Sequence, residues 1–249
     1  MAVYTTIDNP ELYFQVKTYT GTGSSASITL DGDEDMQPDM VWIKSRSHAR
    51  IHTLTDAVRG VTEEIYPDLG DAEDTQAEGL TAFGSDGFTV GTHINYNNDT
   101  YTYVAWCWKE SATAGFDIVS YTGTGSAHTE AHSLSAAPRM IITKNRDYDT
   151  NWGVYHASQT ADKYAYLSAT NAFADNSVFW NDTEPTSSVF SVGTYESVNR
   201  SGDEMIAYCF AEKQGFSKFG SYEGNGNADG TFVHLGFRPA FVMVKPVDA

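Results

Sequence analysis

Residues 31–35 read DGDED and put Asp31, Asp33 and Asp35 at alternate positions, the spacing that opens a calcium loop. Such a loop needs Gly at its sixth position and a bidentate Glu at its twelfth. Met36 and Trp42 stand there instead, so the helix–loop–helix type of site is excluded. Asp31, Asp33 and Asp35 remain the chain's calcium candidate, but the expected reading is a solvated loop with no metal. His128 and His132 flank Thr129-Glu130-Ala131, an order that differs from the H-E-x-x-H zinc motif. On a strand, positions four apart are about 13 Å distant, too far for both rings to reach one ion. Tyr96, Tyr148 and Trp152 are loop aromatics that could stack on sugars. They form the glycan-binding candidate, set against edge packing between structural units.

Other chemistries lack their parts. There is no G-x-S-x-G elbow for a nucleophilic serine. The YTGTG segments lack the Gly-Lys-Ser/Thr ending of a phosphate loop. Acidic residues are plentiful, but nothing marks two of them as a pair flanking one glycosidic bond. The chain is therefore expected to have no catalytic residues, to bind no cofactor and not to be an enzyme. Asn98, Asn181 and Asn199 fit the glycosylation acceptor pattern and read as loop residues.

The elements that would position any site are organised as a repeat. YTGTG occurs at residues 19–23 and at residues 121–125, and Tyr121 lies 102 residues after Tyr19. FTVG at residues 88–91 becomes FSVG at residues 190–193, and Cys107 in VAWCW becomes Cys209 in IAYCF, both at the same shift. Three anchors at one offset indicate tandem duplication. A third copy begins at residues 222–226 (YEGNG). Its PAFVMVK at residues 239–245 matches PDMVWIK at residues 38–44 and PRMIITK at residues 138–144. It stops short of the length of the first two, and the expectation is a longer natural chain.

The predicted organisation is a lead-in at residues 1–12, one β-sandwich at residues 13–110, a second at residues 115–213 and a partial third at residues 215–249. Residues 13–19 alternate apolar and polar, the period of a half-buried strand. A Gly-rich turn and a short strand at residues 27–30 make this read as a hairpin. The apolar run MVWIK at residues 40–44 reads as a central strand covered on both faces. Strands are also expected at residues 51–54, 87–90 and 101–109, and in the second unit at residues 116–121, 140–144, 151–156 and 163–167. In the last strand of each unit, Ala105 and Cys107 alternate with Trp106 and Trp108, and Ala207 and Cys209 with Tyr208 and Phe210. Neither face is polar, so this strand belongs mid-sheet. No helical period of any length is present. The fold class is all-β: tandem antiparallel β-sandwich repeats with the third incomplete.

Composition narrows the partners. Fifteen Lys and Arg against 33 Asp and Glu give a net charge of −18. Nucleic acid and anionic membrane surfaces would be repelled. No run approaches the ~18 apolar residues of a membrane helix, and the first residues show no signal-peptide pattern. The two cysteines occupy equivalent positions and read as buried free thiols.

The series TTIDNP, YF, TYTGTG, QPDMVWIKSRS, DAVRG, DGFTVG and YVAWCWK resembles a repeat of unknown function in virion proteins of tailed bacteriophages, marine ones in particular. The resemblance covers the first unit almost completely. It is weaker in the second, where Ile142 replaces Trp42 and the turn at residues 56–60 is lost. It implies a structural protein of the virion, assembled in the host cytoplasm. Its implied place is the virion-proximal part of a tail fibre or tail appendage involved in host attachment. The implied partners are other virion proteins and further copies of the chain, a homotrimer by analogy with phage fibres. The alternatives are a glycan-binding module contacting the host surface, a head decoration or fibre protein, and a polysaccharide depolymerase.

Overall fold

A computed structural model describes residues 5–248. Residues 1–4 of the predicted lead-in, and Ala249, lie outside the described residues. The chain enters through a 3-10 turn at Pro10–Leu12, where the Asn9 side chain accepts the Glu11 amide hydrogen. That is the start signal carried by Asp8-Asn9-Pro10.

The first unit contains β1 (Phe14–Thr20), β2 (Ala26–Ile28), β3 (Met40–Ser45), β4 (Thr53–Asp56), β5 (Glu63–Glu64), β6 (Asp74–Thr75), β7 (Leu80–Gly84), β8 (Gly87–Val90), the one-turn helix α1 (Ile94–Asn97) and β9 (Thr102–Trp108). The second contains β10 (Phe116–Thr122), β11 (His128–Ala131), β12 (Met140–Asn145), β13 (Gly153–His156), β14 (Lys163–Tyr166), β15 (Ala174–Asp175), β16 (Val189–Val192), α2 (Glu196–Asn199) and β17 (Glu204–Phe210). The fold is all-β, built from antiparallel sheets.

One sheet of the first unit runs β1-β9-β3-β4, and its counterpart runs β10-β17-β12-β13-β14-β15. Smaller sheets, β2-β8-β7 and β11-β16, form the second layers. The registers repeat. Phe14 and Met40 flank Trp108 from either side, as Phe116 and Met140 flank Phe210. The strand that ends each unit in sequence is thus interior to its sheet, as its two apolar faces require.

Alternation along that strand sorts its side chains into different cores. Tyr103, Ala105 and Cys107 point to the first unit's own interior, with Ile28, Leu80, Phe88 and Val90 of the second layer. Met205, Ala207 and Cys209 do the same in the second unit, beside Phe179, Phe190 and Val192. The thiols are free and buried, and burial pushes both up, so neither is a ready nucleophile.

The YTGTG segments do not form hairpins. β1 pairs with β9 while β2 pairs with β8, so the Gly-rich turn carries the chain from one layer to the other. A buried asparagine holds this corner. Asn97 accepts the Thr22 amide hydrogen at 2.8 Å and donates to the Ser24 and Gly91 carbonyls at 2.6 and 2.9 Å. Asn199 repeats this with Thr124, Ser126 and Gly193 at 2.7, 2.7 and 2.5 Å. Gly23 and Gly125 adopt positive φ, +68° and +71°. Gly21 and Gly123 lie so close to the next loop that a Cβ would sit 2.1 and 2.0 Å from the Asn98 and Arg200 carbonyl oxygens.

The third copy differs from expectation. Among the described residues, 215–248 contain no strand. In the complete units the first and third strands never touch, because the last strand lies between them. The third copy contains counterparts of the first and third strands but, within this sequence, none of the last. Several of its apolar residues stay open: Tyr222, Phe232, Val242 and Val244 are exposed.

Replacing Asn97 by Ala leaves one amide and two carbonyls without their partner. Unfolding in urea is expected to lose about 1–3 kcal/mol for Asn97→Ala, with the same loss for Asn199→Ala. Unchanged midpoints in both variants would show that the corner is held by other contacts.

Candidate functional site: the face between the units

The outward faces of the two large sheets build a shared core. Met40, Trp42, Leu54 and Ile65 of the first unit pack with Phe116, Ile118, Ile142, Trp152, Val154, Ile206 and Tyr208 of the second. These are the positions that alternate with the small-residue face, so one strand period supplies both interiors. Trp152 is fully buried here, and its indole N–H donates to the Tyr66 and Leu69 carbonyls at 2.9 and 3.1 Å.

A charged seam crosses this apolar face. The Arg59 guanidinium is inaccessible to solvent and lies 2.6 Å from Asp56 and 2.7 Å from Glu73. It also donates to the Leu54 carbonyl at 3.0 Å. From the second unit, Tyr208 donates its hydroxyl to Asp56 at 2.6 Å, and Arg146 reaches Glu73 at 2.6 Å. Burial alone would pull the Arg59 guanidinium down, but Tyr208, Asp56 and Glu73 together hold it above its usual value. Burial would likewise raise the Glu73 carboxyl. Hydrogen bonds and charge from Arg146 and Arg59 instead hold it below the ordinary range. The turn at residues 56–60 is therefore part of the interface.

At the junction of the units, Asp39 accepts the Glu110 amide hydrogen at 2.7 Å, and Asp117 accepts from the Ser133 amide and hydroxyl at 2.6 and 2.9 Å. Burial and the neighbouring Asp117 and Asp39 carboxylates push Glu110 up to about 7. Among the described residues, no group of three or more acidic, His or Cys side chains is placed to hold a metal ion.

The third copy docks on the second unit as the second docks on the first. The Glu73 amide donates to the Arg146 carbonyl at 2.8 Å, and the Phe173 amide donates to the Val247 carbonyl at 3.3 Å. Phe173 is the counterpart of Glu73, just before β15 as Glu73 is just before β6. Val247 stands two residues after the strand lysine, as Arg146 does. The Leu69 carbonyl accepts from Trp152, and its counterpart, the Ala169 carbonyl, accepts from Lys245 at 2.8 Å. Phe241 then returns to the first unit. Its ring lies 5.4 Å from Trp108, 5.7 Å from Trp106, and 6.4 Å from both Trp42 and Phe14.

Residues 9–249 match a family described as a domain of unknown function, DUF7483. The chain belongs to that family. No curated protein and no solved structure matches it. The DUF7483 match spans both complete units and the third copy, the same stretch over which the docking contacts run.

The residues singled out from sequence fall in different places of this DUF7483 chain. Asp31 pairs with Lys17, while Asp33 and Asp35 are exposed, so the three do not converge. The His128 imidazole meets Glu130 at 2.7 Å, and His132 meets the Thr186 carbonyl at 3.1 Å, so the two rings serve separate contacts. Tyr96 is buried, donating its hydroxyl to Glu64 at 2.6 Å, and Trp152 is buried between the units. Neither ring can receive a sugar: their faces are occupied by protein. Tyr148 alone of the three is exposed, and the Arg200 guanidinium covers its ring at 3.9 Å.

Sequence reasoning did not single out Arg59, Glu73 or Asn97, and Asn199, read as a loop residue, is buried at the end of α2. The asparagines recur at the repeat shift and could have been found by aligning the copies beyond the glycines. Arg59 has no counterpart in the second unit, so the repeat gives no signal for it.

Truncating Arg59 leaves the buried Asp56 carboxylate without its cation and leaves Glu73 with Arg146 alone. Arg59→Ala is expected to cost about 3–5 kcal/mol of unfolding free energy. A loss no larger than that of the exposed Arg200→Ala would show the seam to be dispensable.

Proposed function

We propose that this chain is a structural component of a tailed-bacteriophage virion, part of a tail fibre or tail appendage engaged in host attachment. The observation that carries this reading is the repetition of one docking contact, from first unit to second and from second unit to third copy. The same backbone contact recurs from each copy to the next, and Phe241 also ties the third copy to the first unit, an arrangement of modules packed on one another as a scaffold. Several polar side chains common to the two complete units, among them Asn97 with Asn199 and Lys44 with Lys144, are spent on backbone carbonyls and amides within the fold, and Arg146, the counterpart of Arg46, is spent on the contact between the units. The resemblance of the first unit to virion repeats supports the same reading. Other virion proteins and further copies of the chain are its partners in this proposal.

The glycan-binding alternative retains only Tyr148 of its three aromatics, already stacked under Arg200, so the structural role is preferred. The test is immunogold labelling of purified virions with antibody raised against this chain. Label on the tail or its appendages is the expected result. Label on the head would move the protein to a decoration role, and unlabelled intact virions would overturn the proposal.

A further inference from the structure

The loop that docks the second unit onto the first has an uncovered counterpart in the first unit. Trp42 pairs with Leu54 as Ile142 pairs with Val154, so Arg46 falls at the place of Arg146 and His52 at that of Trp152. The Arg46 amide donates to the Thr102 carbonyl at 2.7 Å, as the Arg146 amide does to Glu204 at 2.9 Å, so both loops leave their strands alike. In the second unit these positions do the docking. The Arg146 guanidinium binds the Glu73 carboxylate, its carbonyl accepts the Glu73 amide hydrogen, and the Trp152 indole N–H binds two carbonyls of the same segment. The difference between the loops is cover. Lys144 and Trp152 are inaccessible to solvent, while Lys44 and His52 are partly exposed and residues 46–49 are exposed. His52 carries the kind of donor that Trp152 does. Its Nδ1 accepts the Trp42 indole hydrogen at 2.9 Å, which leaves the ring proton on Nε2. Burial pulls the imidazole down, so it stays neutral in that form. Arg50 Nε is buried without a partner among the described residues, and its guanidinium lies 5.8 Å from the Tyr101 ring. Residues 44–52 hold Lys44, Arg46 and Arg50 and no acidic residue, in a chain of net charge −18. Among the described residues, Asp68, which accepts the His52 amide hydrogen at 3.0 Å, is the one carboxylate bonded to this loop.

We propose that residues 45–52 dock an acidic polypeptide segment with the chemistry of residues 66–74, in the way that residues 145–152 dock that segment within the chain. The Arg46 guanidinium takes a carboxylate, and the Arg46 carbonyl takes the amide hydrogen of the same residue. The His52 Nε2–H takes a backbone carbonyl earlier in the segment, and Arg50 offers a second cation to a neighbouring acid. Ala49 stands where Asp149 accepts the Ala72 amide hydrogen, so that one contact is not repeated. An acidic residue presents its amide N–H beside its carboxylate, as the carbonyl and guanidinium of Arg46 together require. This favours a polypeptide over an anionic polysaccharide. The proposal goes beyond the virion reading and does not need it.

The test uses the whole chain and a fluorescently labelled peptide of residues 66–74, YPDLGDAED, followed by anisotropy. At about 0.15 M salt the Debye length is about 8 Å, so the chain's distant acids are screened and the local basic loop decides. Saturable binding is expected. Arg46→Ala changes an exposed side chain and should leave the thermal transition in place. It is expected to weaken binding about tenfold or more. Arg46→Glu should prefer the Glu73→Arg peptide to the parent peptide, a reversal that only a direct pairing produces. Absence of saturable binding would overturn the proposal. So would binding unchanged by Arg46→Ala, which would put the peptide on the second unit's own loop. Heparin displacing the peptide through the same Arg46 dependence would make the loop a general anion site and overturn it too. Self-association of the chain that disappears in Arg46→Ala would name a second copy as the occupant, with the same consequence.

Discussion

Because β9 and β17 come last in their units and lie between strands made some 60 to 90 residues earlier, neither large sheet can close until its unit is complete. Among the described residues, each first strand pairs within its large sheet with that late strand alone, while each third strand pairs also with the strand that follows it, β4 or β13. The contacts are therefore non-local, and the entropy of closing long loops precedes their gain.

The late strand also joins the units. Its small-residue face lets each unit's two layers approach, and its aromatic face meets the neighbouring unit. Fully burying one Phe-sized side chain contributes about 1.5–3 kcal/mol, so the many rings and aliphatic chains of the shared core outweigh any single polar contact in it. The charged seam has a different role. Removing one partner of a buried ion pair costs more than the pair contributes, so Arg59, Asp56, Glu73 and Arg146 fix how the units meet rather than how strongly. The asparagine corners play the same part within each unit, where they satisfy backbone groups that the passage between layers would otherwise leave without partners.

Much of this was legible in the sequence. The strands at residues 40–44, 87–90 and 101–109 were marked by apolar runs and alternation, and the 102-residue shift disclosed the duplication. The mid-sheet place of the last strand followed from its having no polar face. What stayed hidden was long-range. A Gly-rich turn between two short strands looks the same whether the strands pair or part, so the layer crossing at Gly21 and Gly23 read as a hairpin. Trp152 and Tyr96 stood in loop-like stretches, and only the packing of distant segments shows that both are buried. Arg59 sits in a turn rich in surface-type residues, and its partner Asp56 is bonded by Tyr208, 152 residues away in sequence.

The aromatic faces of β9 and β17 bind the two units into one cooperative body. Native-state hydrogen exchange measures this directly. The slowest amides of β9 and of β17 are predicted to exchange with the same free energy and the same dependence on denaturant, that of global unfolding. Exchange of β9 amides through a smaller opening that leaves β17 fully protected, or the reverse, would contradict it.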